Sequence, residues 1–344
     1  MPFIFSLLTL IVLFRFLMLR KHPFPLKVFQ FMYIPLVPIL SCLVMTDIPA
    51  LFFFFASQLA LLHFVHISEK QNHVALVYAF LSGILVGMSC WVRQPFLVAL
   101  GASVYLLFTA GSRLEKLCII NYVITASIVA AILFFLWGGL ASPAWNGNML
   151  PSGEAVGRRS FLFLSVILAL AHGSLIYAIY DPGFLLRGKK IILGTIMLSL
   201  IVVFLSDHLT TYDLRDTLPL KFVVRRVLPQ PFWYVYETAA AVLFLALVPL
   251  FTFHLSAKFI NEADRIVKYL YFVSALFFLA VGKMEHGYSS RYVLPAVSVL
   301  VLIHFLKEES ADNFPKLLRI FLGGTLGIVI ALDYLGIIAK LQLP

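Results

Sequence analysis

Three short junctions carry the residues of this chain whose types and placing point to chemistry. Asp47 sits in MTDIP, with an apolar run on each side and no loop to dilute it. Arg93, followed by Gln94, sits the same way in WVRQP. Glu285, His286, Arg291 and Tyr292 lie in KMEHGYSSRYVLP, just before another apolar run. A charge at such a boundary is costly unless it has a partner or faces a water-filled cavity. Asp47 is the candidate catalytic acid, a carboxylate at a helix junction. Its structural alternative is a cap for a helix starting at Ile48. Either arginine taken alone could snorkel to the membrane interface. Several such residues on one side of a membrane favour a shared polar cavity.

The elements that position them are apolar. Hydrophobic residues make up 62% of the 344 positions, and the mean hydropathy is +0.99. About twelve segments (ten to twelve) are expected, near 3–19, 28–45, 48–66, 74–90, 96–110, 116–140, 159–180, 191–206, 235–256, 267–283, 292–306 and 316–336. Segments 28–45 and 48–66 also admit a re-entrant or broken reading around MTDIP. So many lipid-length segments fit only helices, whose backbone groups are satisfied internally. The expected fold is an all-α, polytopic transmembrane bundle forming one domain over 1–344, with no soluble domain attached.

Charge sets the sidedness. One set of alternate loops holds fifteen lysines and arginines, near 20, 70, 113, 187, 260 and 310, against ten in the other set, with Arg15 left in the first span. The richer set is expected in the cytoplasm, which places both termini and all three junctions outside. The net charge of +10 then reflects topology and attraction to anionic lipid. Cations dispersed over short loops argue against a nucleic-acid partner.

Two external loops are longer. One is 141–158. The other, 207–234, interleaves apolar and basic residues and so reads as an interfacial stretch. Its Asp207 and His208 join Arg93, Gln94, Glu285, His286, Arg291 and Tyr292 as candidate substrate-binding residues.

Other chemistries have no motif. The chain lacks a P-loop, a dinucleotide glycine fingerprint, a zinc-protease helix and a serine nucleophile elbow. Cys42, Cys90 and Cys118 have no metal-ligand or disulfide spacing, so no metal and no cofactor is expected. His63, His66, His73, His172, His254 and His304 are assigned no role. Gly83 and Gly87 form a GxxxG, which means close helix approach.

LVMTDIPALFFFF, GILVGMSCWVRQPFLVALGA and SSRYVLPAVSVLVLI, in that order, resemble three landmarks of the GT-C class of integral-membrane glycosyltransferases. These are an acidic junction opening a span, a helix–Arg–Gln–helix segment and a late Arg-Tyr-x-x-Pro junction. The resemblance covers roughly residues 1–300. It implies a sugar donor on a polyprenyl phosphate and a glycan, lipid or protein acceptor at the outer or luminal face. It implies a carboxylate that removes the acceptor proton, and cations that stabilise the departing lipid phosphate. Arg291 matches the late arginine and is the expected phosphate ligand.

The class begins with a cytoplasmic N-terminus, one span and an external loop bearing an acidic pair. This chain resembles it only from the second span onward, so a truncated or inactive member is also expected. Two other functions compete: a transporter or flippase of a lipid-linked or small anionic substrate, and a non-catalytic membrane subunit. The chain has no Asn-x-Ser/Thr sequon, which favours a bacterial inner membrane over the endoplasmic reticulum.

Overall fold

The computed structural model describes residues 2–21, 46–67, 72–138, 155–181, 194–197, 199–201, 229–281 and 290–307, with single positions 28, 31, 34, 37, 225 and 325. Every described element is helical. The helices are α1 (Pro2–Leu19), α2 (Asp47–Ile67), α3 (Asn72–Val92), α4 (Val98–Thr109), α5 (Arg113–Trp137), α6 (Ala155–Tyr180), α7 (Gln230–Asn261), α8 (Arg265–Ala280) and α9 (Leu294–Lys307). Two 3-10 turns, Gln94–Leu97 and Ser290–Val293, lead into α4 and α9.

Four stretches are long and apolar enough to cross a membrane: Asp47–Val65, His73–Val92, Arg113–Trp137 and Gln230–Asn261. The chain is therefore a membrane protein. Phe3–Leu19, Gln94–Thr109, Ser165–Ala178 and Leu294–Lys307 are apolar but shorter. The expected segments 28–45 and 316–336 lie almost wholly outside the described residues, and 191–206 is described only at 194–197 and 199–201. α2 runs without a break from Asp47 to Ile67; residues 38–45, on which the re-entrant or broken reading around MTDIP turns, lie outside the described residues.

Side-chain contacts fix helix direction. Phe5, near the start of α1, packs on Phe52 and Phe53, near the start of α2, with ring centroids at 5.5 and 5.9 Å. Arg20, just past the end of α1, pairs with Asp264 before α8. In the other half, His172 lies edge-on to Phe244, Tyr177 meets Phe251, and Asp181 reaches His254 and Lys258. So α1 runs parallel to α2, and α6 runs parallel to α7.

The bundle thus has two distinct ends. One gathers Arg20, Thr109, Glu115, Asp181, Lys258, Glu262, Asp264, Arg265 and Lys307, and is held by ion pairs. Arg265 donates to the Thr109 carbonyl at 2.6 Å and pairs with Glu115. Lys307 pairs with Glu262 at 2.6 Å. The other end holds Asp47, Arg93, Val281 and Tyr292.

Local signals explain the boundaries. Ser112 caps α5 by accepting from the Glu115 N–H at 3.1 Å, while Glu115 accepts from the Gly111 N–H at 2.9 Å, a capping-box arrangement. Asp264 caps α8 by accepting from the Ile266 and Val267 N–H groups. Gly138 ends α5 at φ +68, a left-handed position that suits glycine. The small-residue face of α3 meets α5: a Cβ on Gly83 would lie 2.7 Å from Thr125 Cβ, and one on Gly87 2.6 Å from Val129 Cβ. Nearby, Ser57 and Ser82 each donate to the other's carbonyl at 2.9 Å, which joins α2 to α3.

Candidate functional site

The site is built where α2 begins and α3 ends. α2 starts at Asp47 itself, so its carboxylate stands in the first turn, where a helix dipole favours negative charge. α3 stops at Val92, and Arg93 takes an extended backbone (φ −150, ψ 112) ahead of the Pro95 turn. That break swings the Arg93 side chain off the helix axis. Its guanidinium Nη2 comes within 2.5 Å of Asp47 Oδ1. Asp47 is only 3% exposed and Arg93 19%. The second carboxylate oxygen, Asp47 Oδ2, is buried with no hydrogen-bond partner.

The second 3-10 turn supplies the other wall. The Arg93 guanidinium carbon lies 5.5 Å from the centroid of the Tyr292 ring, a cation–π distance. Arg93 and Tyr292 then share a cleft with Pro95, Phe96, Phe277, Ala280, Val281 and Pro295. Its volume is about 20 Å³, room for roughly one water. The floor is aromatic: Phe54, Phe96 and Phe277 pack mutually at centroid distances of 5.1–5.6 Å. Asp47 stands beside this cleft, bonded to its one described cation, and is not part of its wall.

The residues singled out in the sequence fare unequally. Asp47, Arg93 and Tyr292 come together from positions far apart in the chain. Gln94 follows Arg93 and opens the Gln94–Leu97 turn. Arg291 has its backbone in the Ser290–Val293 turn that positions Tyr292, but its side chain lies outside the described residues, as do Asp207, His208, Glu285 and His286. The capping alternative for Asp47 is corrected: Asp47 is the first helical residue, and its carboxylate bonds Arg93.

A second polar group escaped sequence reasoning. His254, assigned no role in its apolar context, lies 3.2 Å from Asp181, which also binds Lys258. Lys258 in turn reaches the Tyr177 hydroxyl at 3.4 Å. Burial alone would raise the Asp181 carboxyl. Hydrogen bonds and charge from His254 and Lys258 outweigh it and hold the group well below the usual carboxylate range. His254 and Lys258 are four apart on one face of α7, which was the only available signal. Farther along, toward the Asp47 end, Arg225 makes a two-point bond to buried Glu237 at 2.6 and 3.2 Å and covers the Trp233 ring. Among the described residues no cluster of His, Cys, Asp and Glu could hold a metal. No family model, no curated protein and no solved structure matches the chain.

Proposed function

We propose that this chain is a multi-pass membrane glycosyltransferase that moves a sugar from a polyprenyl phosphate to an acceptor at the Asp47 end of the bundle. The observation that carries the reading is the Asp47–Arg93 pair: a buried carboxylate with one oxygen unbonded, tied to the cation of an apolar-walled cleft. Arg93, with Arg291 beside Tyr292, binds the phosphate of the donor. The acceptor oxygen bonds to the anomeric carbon as the bond from that carbon to the phosphate oxygen breaks. The hydroxyl proton passes to Asp47 Oδ2, and the lipid phosphate leaves with the electron pair, held by the guanidinium charge. The apolar floor suits the first isoprene units of the lipid. The described cleft has to widen to admit them. The charge bias puts this end outside the cytoplasm, with the bacterial inner membrane favoured.

The experiment is transfer from radiolabelled short-chain polyprenyl-phosphoryl hexoses and pentoses by purified protein in nanodiscs. Wild-type protein releases polyprenyl phosphate, and Arg93→Gln does not. Absence of release from every donor, in a protein that also fails to bind them, sinks the reading. A transporter of a lipid-linked anion is the second reading. It is favoured by the contrast between an end closed by ion pairs and an end that carries the cleft. It predicts donor movement between leaflets with no release.

A further inference from the structure

α5 turns one long apolar face to its surroundings. Leu117, Ile124, Ile128, Ile132, Phe135 and Leu136 are 47–87% exposed and recur at helical spacing along one side. No Asp, Glu, Lys or Arg lies between Lys116 and the helix end at Trp137. At the foot of the face, Arg113 and Lys116 are exposed. At its head stand Phe135, Leu136 and then Trp137. From Leu117 to Leu136 the helix rises roughly 28 Å, at about 1.5 Å per residue. The hydrocarbon layer of a bilayer is about 30 Å thick. Cations at one edge and tryptophan at the other are the side chains that suit lipid headgroups.

Helix register carries this measurement to the cleft. Gly83 stacks on Thr125 and Gly87 on Val129. So α3 runs parallel to α5, and each of its residues is level with the residue 42 further along the chain. Val92, the last residue of α3, is then level with Phe134. Ser57 of α2 faces Ser82 of α3. Ten residues lead back from Ser57 to Asp47, and ten lead on from Ser82 to Val92. Asp47 therefore reaches the level of Val92, as its bond to Arg93 requires. That level is the head of the exposed face.

We infer that the exposed face of α5 is a lipid-contact surface whose partner is the acyl chains of a bilayer about 30 Å thick, and that the Asp47–Arg93 pair lies at one edge of that hydrocarbon layer, just beneath the lipid phosphates. The placement is the same for an enzyme, a transporter or a subunit, so it stands if the proposed function fails. A second copy of the chain is the competing occupant. Ser127 and Ala131, both exposed and four apart, are the small residues at which it would cross.

The test uses the full chain in vesicles of phosphatidylcholine and phosphatidylglycerol. A nitroxide is attached at Leu117→Cys, Ile124→Cys, Ile128→Cys, Phe135→Cys and Trp91→Cys, one at a time. The unsubstituted chain, whose Cys90 and Cys118 are buried, gives the labelling background. Collisions with oxygen and with a water-soluble nickel chelate report depth. Ile124 and Ile128 should lie roughly 10–15 Å inside the hydrocarbon edge, and Leu117, Phe135 and Trp91 within about 5 Å of it. Nickel access at Ile124 or Ile128, or a label at Trp91 as deep as one at Ile128, overturns the placement. Disulfide cross-linking between chains at Ser127→Cys or Ala131→Cys, with oxygen access lost at Ile124 and Ile128, makes a second copy the occupant and overturns the lipid assignment. The unsubstituted chain supplies a measurement free of any folding defect. Its Tm across vesicles of increasing acyl length should peak near a hydrocarbon thickness of about 30 Å, and a peak near about 20 Å overturns the placement.

Discussion

Arg93 and Asp47 meet at 2.5 Å because α2 leads away from Asp47 and α3 runs back to Arg93. The pair joins the start of α2 to the end of α3, opposite Ile67 and Asn72. Taking both charges out of water has a desolvation penalty, which is worth bearing only with good geometry or with a use. The partners are also unequal: Arg93 reaches the cleft, whereas Asp47 is buried behind its bond to it.

That inequality predicts an asymmetric mutational response. Arg93→Gln strands a buried carboxylate and should destabilise the protein by about 3–5 kcal/mol, whereas Asp47→Asn leaves only a partly exposed guanidinium and should cost much less. The double variant should be more stable than Arg93→Gln alone. Denaturation midpoints of the three in one detergent decide it. Equal losses in both single variants would refute the asymmetry.

Asp47→Asn also separates chemistry from structure. Expression and donor binding should hold while transfer falls by orders of magnitude, because the amide cannot take the acceptor proton. Full transfer by Asp47→Asn would remove Asp47 from the reaction.

The α3–α5 contact should tolerate no added methyl. Gly83→Ala and Gly87→Ala place a Cβ within 2.7 Å of α5 atoms and should each cost about 1–3 kcal/mol by forcing the helices apart. Gly111→Ala, with nothing within 4 Å, should be neutral. Thermal midpoints of the three variants give the comparison.

At the ion-paired end, Asp181 makes part of the stability acid-sensitive. Its carboxyl is depressed in the folded protein, so its contribution is complete above the ordinary carboxylate value of about 3.9 and is lost as pH falls through the lower folded value. Asp181→Asn should be less stable than wild type at pH 6, and the gap should close as pH is lowered below 4. A gap that stays constant from pH 6 to pH 2 would show that the charge of Asp181 does not hold α6 to α7.

Sidedness is open to a labelling experiment. Gly111 lies at the ion-paired end and Gln230 starts α7 near the other. In intact cells, an impermeant maleimide should reach Gln230→Cys and should reach Gly111→Cys only after permeabilisation. The reverse pattern would invert the bundle.

The helices were largely legible because apolar length is a strong signal. Segment 74–90 became Asn72–Val92, and 159–180 became Ala155–Tyr180. α7 was underestimated as 235–256: that segment admitted Glu237 but stopped short of Lys258, whose charge hydropathy rejects. The structure keeps both helical by pairing them with Arg225 and Asp181. Of the candidate site, the nearness of Asp47, Arg93 and Tyr292 agrees with the expectation, drawn from charge bias, that they share one side. The Asp181–His254 contact was not legible, because it joins residues 73 apart on helices whose parallel packing no local pattern announces.

The parallel course of α1 and α2 bears on biogenesis. α1 leaves the ribosome well before α2, its packing partner, is synthesised. In that interval the polar side chains of α1 cannot rely on α2 for partners. The Thr9 hydroxyl donates to the Phe5 carbonyl of its own turn at 2.7 Å, so this group of α1 is already satisfied before its packing partner is made.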